Sequence, residues 1–323
     1  MAEVSIIIVN FKSWKHLENC LASIEKIDQT IVSFEVIVVD NCSNDGVLPD
    51  FKKNYSSIQF IENSGNNGFS NGCNLGAKNA NGTFFMFLNP DTIINENSIL
   101  LMLKLAKKND DYGIVSCQTI NKKGKSENQV RIFPKLMTLF GAFRAIYKLV
   151  NKSKIESDFN SSKDIVFPDW VSGSLIFMNK KWFDKVKYWN EDYWMYFEDV
   201  DLCKRVSEKG GRIVITRGAN IIHNHGGASR INVKTAVITK SEVLISKHVY
   251  VKNNFKGIGK YISQIFLVFQ NLVTYLLLAI IGLIFFFVPK LKLNIFLFKN
   301  LLSYYFRVVK KGSWLSMRSM NYN

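Results

Sequence analysis

Short apolar segments that alternate with helical segments constrain the fold of this chain more than any other feature. VSIIIVN (residues 4–10), FEVIVVD (34–40) and FFMFL (84–88) are almost wholly apolar, which is typical of strands buried on both faces. Residues 74–80 and 99–106 have the composition and spacing of helices. Strands that alternate with helices predict an α/β fold with a mostly parallel sheet covered on both faces.

Polar side chains stand where three of these strands end. In open α/β sheets, ligands bind beyond the carboxyl ends of the strands, where the strand order reverses. Asn10 and Asp40 end the first two strands, and Asp91 follows the third in LNPDT. We expect all three residues to share one ligand site. Asp40 could bind the base or ribose of a nucleotide, or could close its strand with an Asx-turn. Asp91 could hold a divalent ion against a diphosphate, or could cap the next helix.

The segment SGNNGFSNGCNLG (residues 64–76) has four glycines and four asparagines. Glycines allow a ligand to approach the backbone closely, and asparagine side chains can bind polar groups. The segment lacks the lysine and hydroxyl of a phosphate-binding loop of the Walker type. A flexible surface loop is the alternative explanation.

An acidic and aromatic run, WNEDYWMYFEDVDL, begins at Trp189. Glu198 and Asp199 open a predicted helix over residues 199–209, where the helix dipole stabilises a carboxylate that is ready to accept a proton. Ordinary helix capping is the alternative. We expect the neighbouring aromatic side chains to form a surface that stacks against sugar rings. They are Trp189, Tyr193, Trp194, Tyr196 and Phe197.

His223 and His225 alternate at the end of a predicted strand, so both imidazoles should face the same side. Close to a metal site they could supply a metal ligand and a phosphate contact. A single histidine there would more often be structural. The sequence also predicts two separate short strands, at residues 212–216 and 219–223.

The length of 323 residues and the 47% hydrophobic composition allow one large domain with an appendage, or two modest domains. The five cysteines include no C-x-x-C pair, and the N-terminus does not resemble a secretory leader. We therefore expect reduced, buried thiols in a cytoplasmic protein.

The positive charge is concentrated in the C-terminal region. Residues 231–323 contain 13 Lys or Arg against the single acid Glu242, a net charge of +12 out of the total of +16. The same region holds the longest apolar run, residues 272–288, flanked by lysines. This combination indicates an anionic membrane surface and argues against nucleic acid. The run could form an interfacial helix or re-entrant hairpin, which we favour, a single membrane span, or a buried core helix.

Seven segments together resemble glycosyltransferase family 2, in particular its bacterial rhamnosyltransferase-like branch. They occur in the family's order within residues 4–229: SIIIVNFKSWKHLENCLASI, VIVVDNCSNDG, NNGFSNGCNLGAKNANG, FLNPDT, WVSGSLIFM, WNEDYWMYFEDVDLCKR and IIHNHGGAS. The resemblance implies the GT-A fold, a Rossmann-like α/β fold, for a catalytic domain over residues 1–230. Residues 231–323 would form a helical, membrane-associated region.

The resemblance also implies a role for each candidate residue. Asp199 would be the catalytic base, beside Glu198 in the family's Glu-Asp motif. Asp91 would bind the metal, although Asn89-Pro90-Asp91 keeps only the last acid of the family's DxD motif, and His223 or His225 would lie beside the metal. The nucleotide sugar would contact Val9, Asn10, Asp40, Asn67, Gly68, Asn74 and Asn89. The acceptor would contact Trp170, Gly173, Ser174 and Trp194.

The function implied by the resemblance is that of an inverting, Mg²⁺- or Mn²⁺-dependent glycosyltransferase. The donor would be a nucleotide-diphosphate sugar, with dTDP-rhamnose as the first guess and galactose, glucose or an N-acetylated sugar as alternatives. The acceptor would be lipid-linked or a polysaccharide, at the cytoplasmic face of the plasma (inner) membrane, in cell-surface glycan synthesis. The rival hypothesis is a catalytically silent nucleotide-binding membrane partner of another transferase.

Overall fold

The computed structural model describes residues 2–126, 131–136, 138–139, 141–153, 155, 159, 163–224 and 232–322. The chain forms two units. The first comprises Met1–Asn190 with Glu198–Gly227, and the second comprises Glu191–Phe197 with Ala228–Asn323. The domain boundary predicted at residue 230 lies outside the described residues.

Nine strands in the described part of the first unit form a single mixed sheet. In chain order they are β1 (Val4–Asn10), β2 (Phe34–Asp40), β3 (Gln59–Glu62), β4 (Phe84–Leu88), β5 (Thr92–Ile93), β6 (Tyr112–Ile120), β7 (Ile165–Val166), β8 (Leu175–Asn179) and β9 (Arg212–His223). Their order across the sheet is β3-β2-β1-β4-β8-β6-β9-β5, and β7 also pairs with β9. β1 to β4 are parallel, as are β6 and β9, whereas β5, β7 and β8 are antiparallel to their partners.

The first unit contains helices α1 (Trp14–Ile24), α2 (Leu48–Asn54), α3 (Phe69–Lys78), α4 (Glu96–Lys108), α5 (Gly141–Val150), α6 (Lys180–Lys185) and α7 (Glu198–Glu208). The second unit contains α8 (Val233–Asn254), α9 (Gly257–Ile284), α10 (Pro289–Lys311) and a final 3-10 turn, Met320–Tyr322. The helices predicted from residues 74–80, 99–106 and 199–209 are therefore present with longer or shifted bounds.

Both faces of the sheet are covered, as the apolar strands predict. Ile6 and Ile8 belong to a buried cluster on one face together with Leu17 of α1. Ile7 and Val9, which alternate with them, belong to a cluster on the other face. A sheet buried on both faces leaves its strand ends as the place for polar ligands.

Two glycines let α3 approach β1 closely. A Cβ atom on Gly76 would lie 2.5 Å from Cγ2 of Ile7, and one on Gly72 would lie 2.7 Å from Cγ1 of Val9. No larger side chain fits at either position without displacing the strand. Part of the Asn- and Gly-rich segment thus forms a helix on the sheet and is not a free surface loop.

The prediction of two short strands at residues 212–216 and 219–223 is wrong. β9 is one strand from Arg212 to His223, because β6 pairs with both halves in parallel. The register shifts between the pairs Cys117↔Thr216 and Gln118↔Asn220, so the residues between Thr216 and Asn220 bulge out of the ladder. Pairing with the long strand β6 therefore makes residues 212–223 one strand, although the local sequence predicts two.

All five cysteines are free thiols. Cys20, Cys73, Cys117 and Cys203 are buried, and burial raises the pKa of Cys20 to about 12. Cys42 is partly exposed. Four of the five thiols therefore match the expectation of buried cysteines.

Candidate active site

The strand ends named by the sequence meet at one rim of the sheet. Asn10 and Asp40 are register partners at the ends of β1 and β2. β8 runs antiparallel to β4 and begins at the same rim, since Leu175 pairs with Leu88. The backbone N–H of Asn89 donates to the carbonyl of Ser174 across a distance of 3.0 Å. Polar residues from four strand ends are thus adjacent.

The carboxylate of Asp40 is held by donors from its own surroundings. Its Oδ1 accepts hydrogen bonds from Ser43 Oγ at 2.5 Å and Asn10 Nδ2 at 3.3 Å, and its Oδ2 accepts from the Ser43 N–H at 2.9 Å. The bonds from Ser43 close the turn after β2, which agrees with the alternative of an Asx-turn at Asp40. Binding of a base or ribose by Asp40 stays a prediction.

Two asparagines that the sequence analysis omitted hold the turn before α3. Asn41 Nδ2 donates to the carbonyl of Gly68 at 2.9 Å, and Asn63 Nδ2 donates to Asn41 Oδ1 at 2.9 Å. Gly68 has φ of +93°, in the left-handed region that favours glycine. Asn67 belongs to the same turn, since its N–H donates to the carbonyl of Gly65. These bonds tie the predicted nucleotide-binding turn to the end of β2.

Asn74 has a structural partner. Its Nδ2 donates to the carbonyl of Trp189, and its Oδ1 accepts from the Trp189 N–H, both at 3.0 Å. The side chain thus binds backbone that is distant in sequence. The predicted contact of Asn74 with a nucleotide sugar is untested, but positioning Trp189 is a second role that the sequence did not reveal.

Asp91 and His223 form a close pair. Asp91 Oδ1 lies 3.2 Å from His223 Nε2, and both side chains are largely buried. β5 and β9 fix this pair, because Thr92 and His223 are register partners. The hypothesis of Asp91 as a helix cap is wrong, since the side chain of Asn95 caps α4 by accepting from Ser98 N–H at 3.0 Å. His225 lies outside the described residues.

The residues around this pair fit a divalent cation. No group of three or more His, Cys, Asp or Glu side chains suited to a metal occurs in the described part of the chain. Mg²⁺ and Mn²⁺ at phosphate sites need only one or two carboxylates, with the phosphates and waters as further ligands. The N–H of Asn224, the residue after His223, donates to the Asp91 carbonyl at 2.8 Å, and the buried Oδ1 of Asn224 lacks a hydrogen-bond partner among the described residues. A carboxylate, an imidazole and an amide oxygen are acceptable ligands for Mn²⁺.

Asp199 accepts two backbone hydrogen bonds at the start of α7. Gly173 N–H donates to Oδ2 at 3.0 Å, and Val200 N–H donates to Oδ1 at 2.8 Å. Because Gly173 and Ser174 are adjacent and Ser174 binds Asn89, a short path of backbone links Asp199 to the Asn89-Pro90-Asp91 turn. The two carboxylates therefore belong to the same rim.

The environments of Glu198 and Asp199 differ. Burial raises the pKa of Glu198 well above its usual range, and the charge of Asp199 raises it further. Burial also raises the pKa of Asp199, but the N–H groups of Gly173 and Val200 and the charge of Arg131 lower it. Within the pair, the contacts that favour the anion therefore act on Asp199, whereas burial and the charge of its neighbour favour the neutral acid at Glu198.

Arg131 is a site residue that the sequence analysis missed. Its guanidinium lies 4.7 Å from the ring centroid of Trp170. Trp170 Nε1 donates to the carbonyl of Ile132 at 3.2 Å, and Asp169 N–H donates to the carbonyl of Arg131 at 3.0 Å. Trp170, a predicted acceptor residue, is thus covered by a cation whose charge also acts on Asp199.

The expected sugar-stacking surface is wrong for Trp189 and Tyr193, which are 2% and 1% exposed. Trp189 packs edge-on against Phe69 and Phe87 in the core. Trp194 is also buried, in the second unit, where Arg318 lies 5.7 Å from its ring centroid. Aromatic side chains pack in a protein core as readily as they stack on a ligand, and three of the five are buried here.

The family model "Glycosyl transferase family 2" matches residues 5–167, which carry the strand ends and Asp91. The chain belongs to glycosyl transferase family 2. Its sheet and flanking helices form the GT-A fold that the sequence resemblance implies. The match covers half of the chain and ends before α7, so the positions of Asp199 and His223 depend on the geometry above.

Three glycosyltransferases are similar in sequence to this chain, and two of them are rhamnosyltransferases. The low-salt glycan biosynthesis hexosyltransferase Agl10 of Haloferax volcanii is 27% identical over 69% of this chain and 67% of its own length. The rhamnosyltransferase WbbL of Escherichia coli is 27% identical over 68% of this chain and 83% of its own length. The N-acetylglucosaminyl-diphospho-decaprenol L-rhamnosyltransferase of Mycobacterium tuberculosis is 24% identical over 68% of this chain and 75% of its own.

A solved structure has a fold similar to that of this chain. The mannosyltransferase PcManGT of Pyrobaculum calidifontis, in complex with GDP-Man and Mn²⁺, superposes with a TM-score of 0.53. The alignment covers 97% of this chain and 76% of that protein at 14% identity. At this identity the likeness shows the fold alone.

Proposed function

We propose that this glycosyltransferase moves a sugar from a nucleoside diphosphate donor to a hydroxyl of a lipid-linked or polysaccharide acceptor, with inversion at the anomeric carbon. The observation that carries the proposal is that the Asp91–His223 pair and the Asp199 carboxylate lie at one rim, joined through Asn89, Ser174 and Gly173. Leaving-group binding and proton removal need this proximity.

In the proposed reaction, Asp199 takes the proton of the acceptor hydroxyl. The oxygen bonds to the anomeric carbon while the bond from that carbon to the diphosphate oxygen breaks, and the diphosphate leaves with the electron pair. Attack from the opposite face inverts the configuration. A positioned general base contributes about 10²–10⁴-fold in rate. The N–H groups of Gly173 and Val200 both donate to Asp199 and so favour its anion, which is the form the step requires.

Asp91 and His223, with Asn224 beside them, are the residues that would hold Mg²⁺ or Mn²⁺. The ion would supply positive charge against the diphosphate. The turn of Asn67 and Gly68, tied to β2 by Asn41, would bind the donor together with Val9, Asn10, Asp40 and Asn89. Trp170, Gly173 and Ser174 would line the acceptor side.

The donor is proposed to be dTDP-rhamnose, because WbbL and the mycobacterial relative are rhamnosyltransferases. The acceptor is proposed to be a lipid-linked diphosphate sugar, which the mycobacterial relative's name specifies for that enzyme. The basic and apolar C-terminal region supports a location at the cytoplasmic face of the plasma (inner) membrane.

The test is a transfer assay on the full chain with Mn²⁺, a panel of nucleotide sugars including dTDP-rhamnose, and a polyprenyl-diphosphate-linked sugar. We expect release of nucleoside diphosphate that depends on the acceptor, and a product whose anomeric configuration is inverted by NMR. Donor binding without release for every donor and acceptor would favour the silent-partner hypothesis. Retention of configuration would reject the single displacement.

A further inference from the structure

The polarity of helix α9 (Gly257–Ile284) is reversed relative to a helix of a soluble protein. Its polar residues Ser263, Gln264 and Asn271 are buried, at 0%, 4% and 5% exposure. Large apolar side chains on its other side are each more than half exposed: Ile258, Tyr261, Ile265, Phe266, Phe269 and Leu277. A continuous exposed apolar face of this size marks a surface with an apolar partner.

The buried polar groups of α9 are hydrogen-bonded inside the second unit. Gln264 Oε1 lies 2.5 Å from His248 Nδ1, and Gln264 Nε2 donates to the His248 carbonyl at 2.9 Å. Asn271 Nδ2 donates to Tyr305 Oη at 2.9 Å, and that hydroxyl lies 3.0 Å from His248 Nε2. Polar groups that are satisfied internally, beneath an apolar exterior, suit hydrocarbon surroundings, which offer no hydrogen bonds.

The hydropathy of α9 alone allows a membrane crossing. The most apolar 18-residue window of α9 has a mean hydropathy of 2.2, and 22% of that window is buried within the protein. A buried core helix would instead be covered by its own chain over most of its surface. The contacts of α8, α10 and the C-terminal segment decide whether α9 crosses the bilayer or lies in its interface.

The C-terminal segment is incompatible with a single crossing by α9. Ser316 Oγ donates to Glu242 Oε1 at 2.8 Å, and Arg318 Nη1 lies 3.2 Å from the same oxygen. The ring of Trp314 stacks on His248 with a centroid distance of 4.9 Å. Glu242 and His248 belong to α8, which precedes α9. A single crossing would place these partners on opposite sides of the bilayer.

The charges of α10 oppose a second crossing. Leu293, Leu297 and Leu301 form its buried stripe. Lys292 and Lys299 are exposed, and Lys299 lies near the middle of the helix. A crossing would hold this ammonium group near the centre of the hydrocarbon, where lysine is strongly unfavourable. The two helices therefore suit an orientation in which α9 reaches acyl chains and the lysines of α10 reach headgroups.

We propose that α9 and α10 lie in the plane of one leaflet of an anionic bilayer, without crossing it. This proposal rests on the membrane location in the proposed function and specifies how the chain is held there. The apolar face of α9 enters the acyl-chain region, and Lys290, Lys292 and Lys299 of α10 contact lipid phosphates. The net charge of +12 over residues 231–323 is complementary to that surface.

The first test measures topology. The full chain, with Cys42 replaced by serine, is added to sealed vesicles of equimolar phosphatidylcholine and phosphatidylglycerol. Single cysteines are introduced as Lys290→Cys, in the first turn of α10 next to the connection from α9, and Met317→Cys, beyond the end of α10. A membrane-impermeant maleimide outside the vesicles should label both as fully as in detergent. Protection of Lys290→Cys until the vesicles are lysed would indicate a crossing hairpin, and protection of Met317→Cys would indicate a single span; either result overturns the proposal.

The second test measures which face binds. The double variant Ile265→Glu/Phe269→Glu should reduce the fraction of protein that floats with the vesicles at least tenfold. The matched double variant Lys292→Gln/Lys299→Gln should still bind vesicles. It should lose only its preference for phosphatidylglycerol vesicles over pure phosphatidylcholine vesicles. Unchanged flotation of the glutamate variant, with unchanged far-UV circular dichroism, would overturn the proposal. As a check that does not use the glutamate variant, a nitrobenzoxadiazole label on Phe269→Cys should be quenched by spin-labelled acyl chains, and no quenching would also overturn the proposal. Neither test uses a sugar donor. A negative transfer assay would therefore reject the proposed function without bearing on the membrane orientation, and a negative labelling or flotation result would do the reverse.

Discussion

The backbone N–H of Gly173 donates a hydrogen bond to Oδ2 of Asp199 across 3.0 Å, joining the segment before β8 to the first turn of α7. Gly173 adjoins Ser174, whose carbonyl binds Asn89 in the turn that carries Asp91. The position of the proposed base relative to the proposed metal ligand is thus set by backbone contacts. The hydrogen bond from Gly173 also fixes the rotamer of the Asp199 side chain, which holds its carboxylate in place.

Transfer should depend on pH through Asp199. Only the anion accepts a proton, so kcat/KM should fall as the pH falls through its pKa, which burial raises above the usual value. The N–H groups of Gly173 and Val200 and the charge of Arg131 oppose burial by lowering this pKa. Arg131→Gln should therefore shift the acidic limb of the profile to higher pH, and Arg131→Lys should restore it.

Arg212→Gln is the matched control for that profile. The guanidinium carbon of Arg212 lies 3.7 Å from the ring centroid of Phe167, in the same kind of contact that Arg131 makes with Trp170. Loss of this second cation–aromatic pair should leave the acidic limb in place. An unchanged limb in Arg131→Gln, or an equal shift in Arg212→Gln, would remove the specific role of Arg131.

Asp91→Asn and His223→Gln should each raise the Mn²⁺ concentration for half-maximal transfer by roughly tenfold or more, as expected for residues that hold one ion. Their effects should not add in the double variant, because the two side chains share that ion. Glu62→Gln, an exposed acid at the end of β3, should have no effect. Transfer rates measured over a range of Mn²⁺ concentrations check the prediction for each variant. Additive effects of the two substitutions in the double variant would contradict it.

Gly76→Ala should destabilise the protein, because the new Cβ would lie 2.5 Å from Cγ2 of Ile7. We expect the free energy of unfolding to fall by about 1–3 kcal/mol. Gly141→Ala, where no atom lies within 4 Å of the new Cβ, should cause no such loss. Thermal unfolding of both variants measures the difference, and equal midpoints would mean that α3 can move away from β1.

Asn74→Ala should lower stability by about 1–3 kcal/mol, since it leaves a buried backbone N–H and carbonyl at Trp189 without partners. If Asn74 acts only in this way, the affinity for a nucleotide sugar should be unchanged. Calorimetry with the donor separates the two roles. A large loss of donor affinity with unchanged stability would show instead that Asn74 binds the ligand directly.

The sequence predicted those features that depend on local pattern. The apolar runs predicted β1, β2 and β4, and Asn10 and Asp40 lie side by side at the ends of β1 and β2, because parallel strands share a rim. It could not predict that Asn74 binds Trp189 or that Arg131 covers Trp170. These contacts join positions 115 and 39 residues apart and leave no periodic signal. The burial of Trp189 likewise depends on Phe69 and Phe87.

The central claim is that Asp199 is the base of a sugar-transfer reaction, and Asp199→Asn tests it most directly. The measurement is single-turnover transfer together with the donor dissociation constant, with Glu208→Gln at the exposed end of α7 as the control. We predict that Asp199→Asn loses about 10²–10⁴-fold in rate while donor binding is retained. Turnover by Asp199→Asn equal to that of the natural chain would contradict the account.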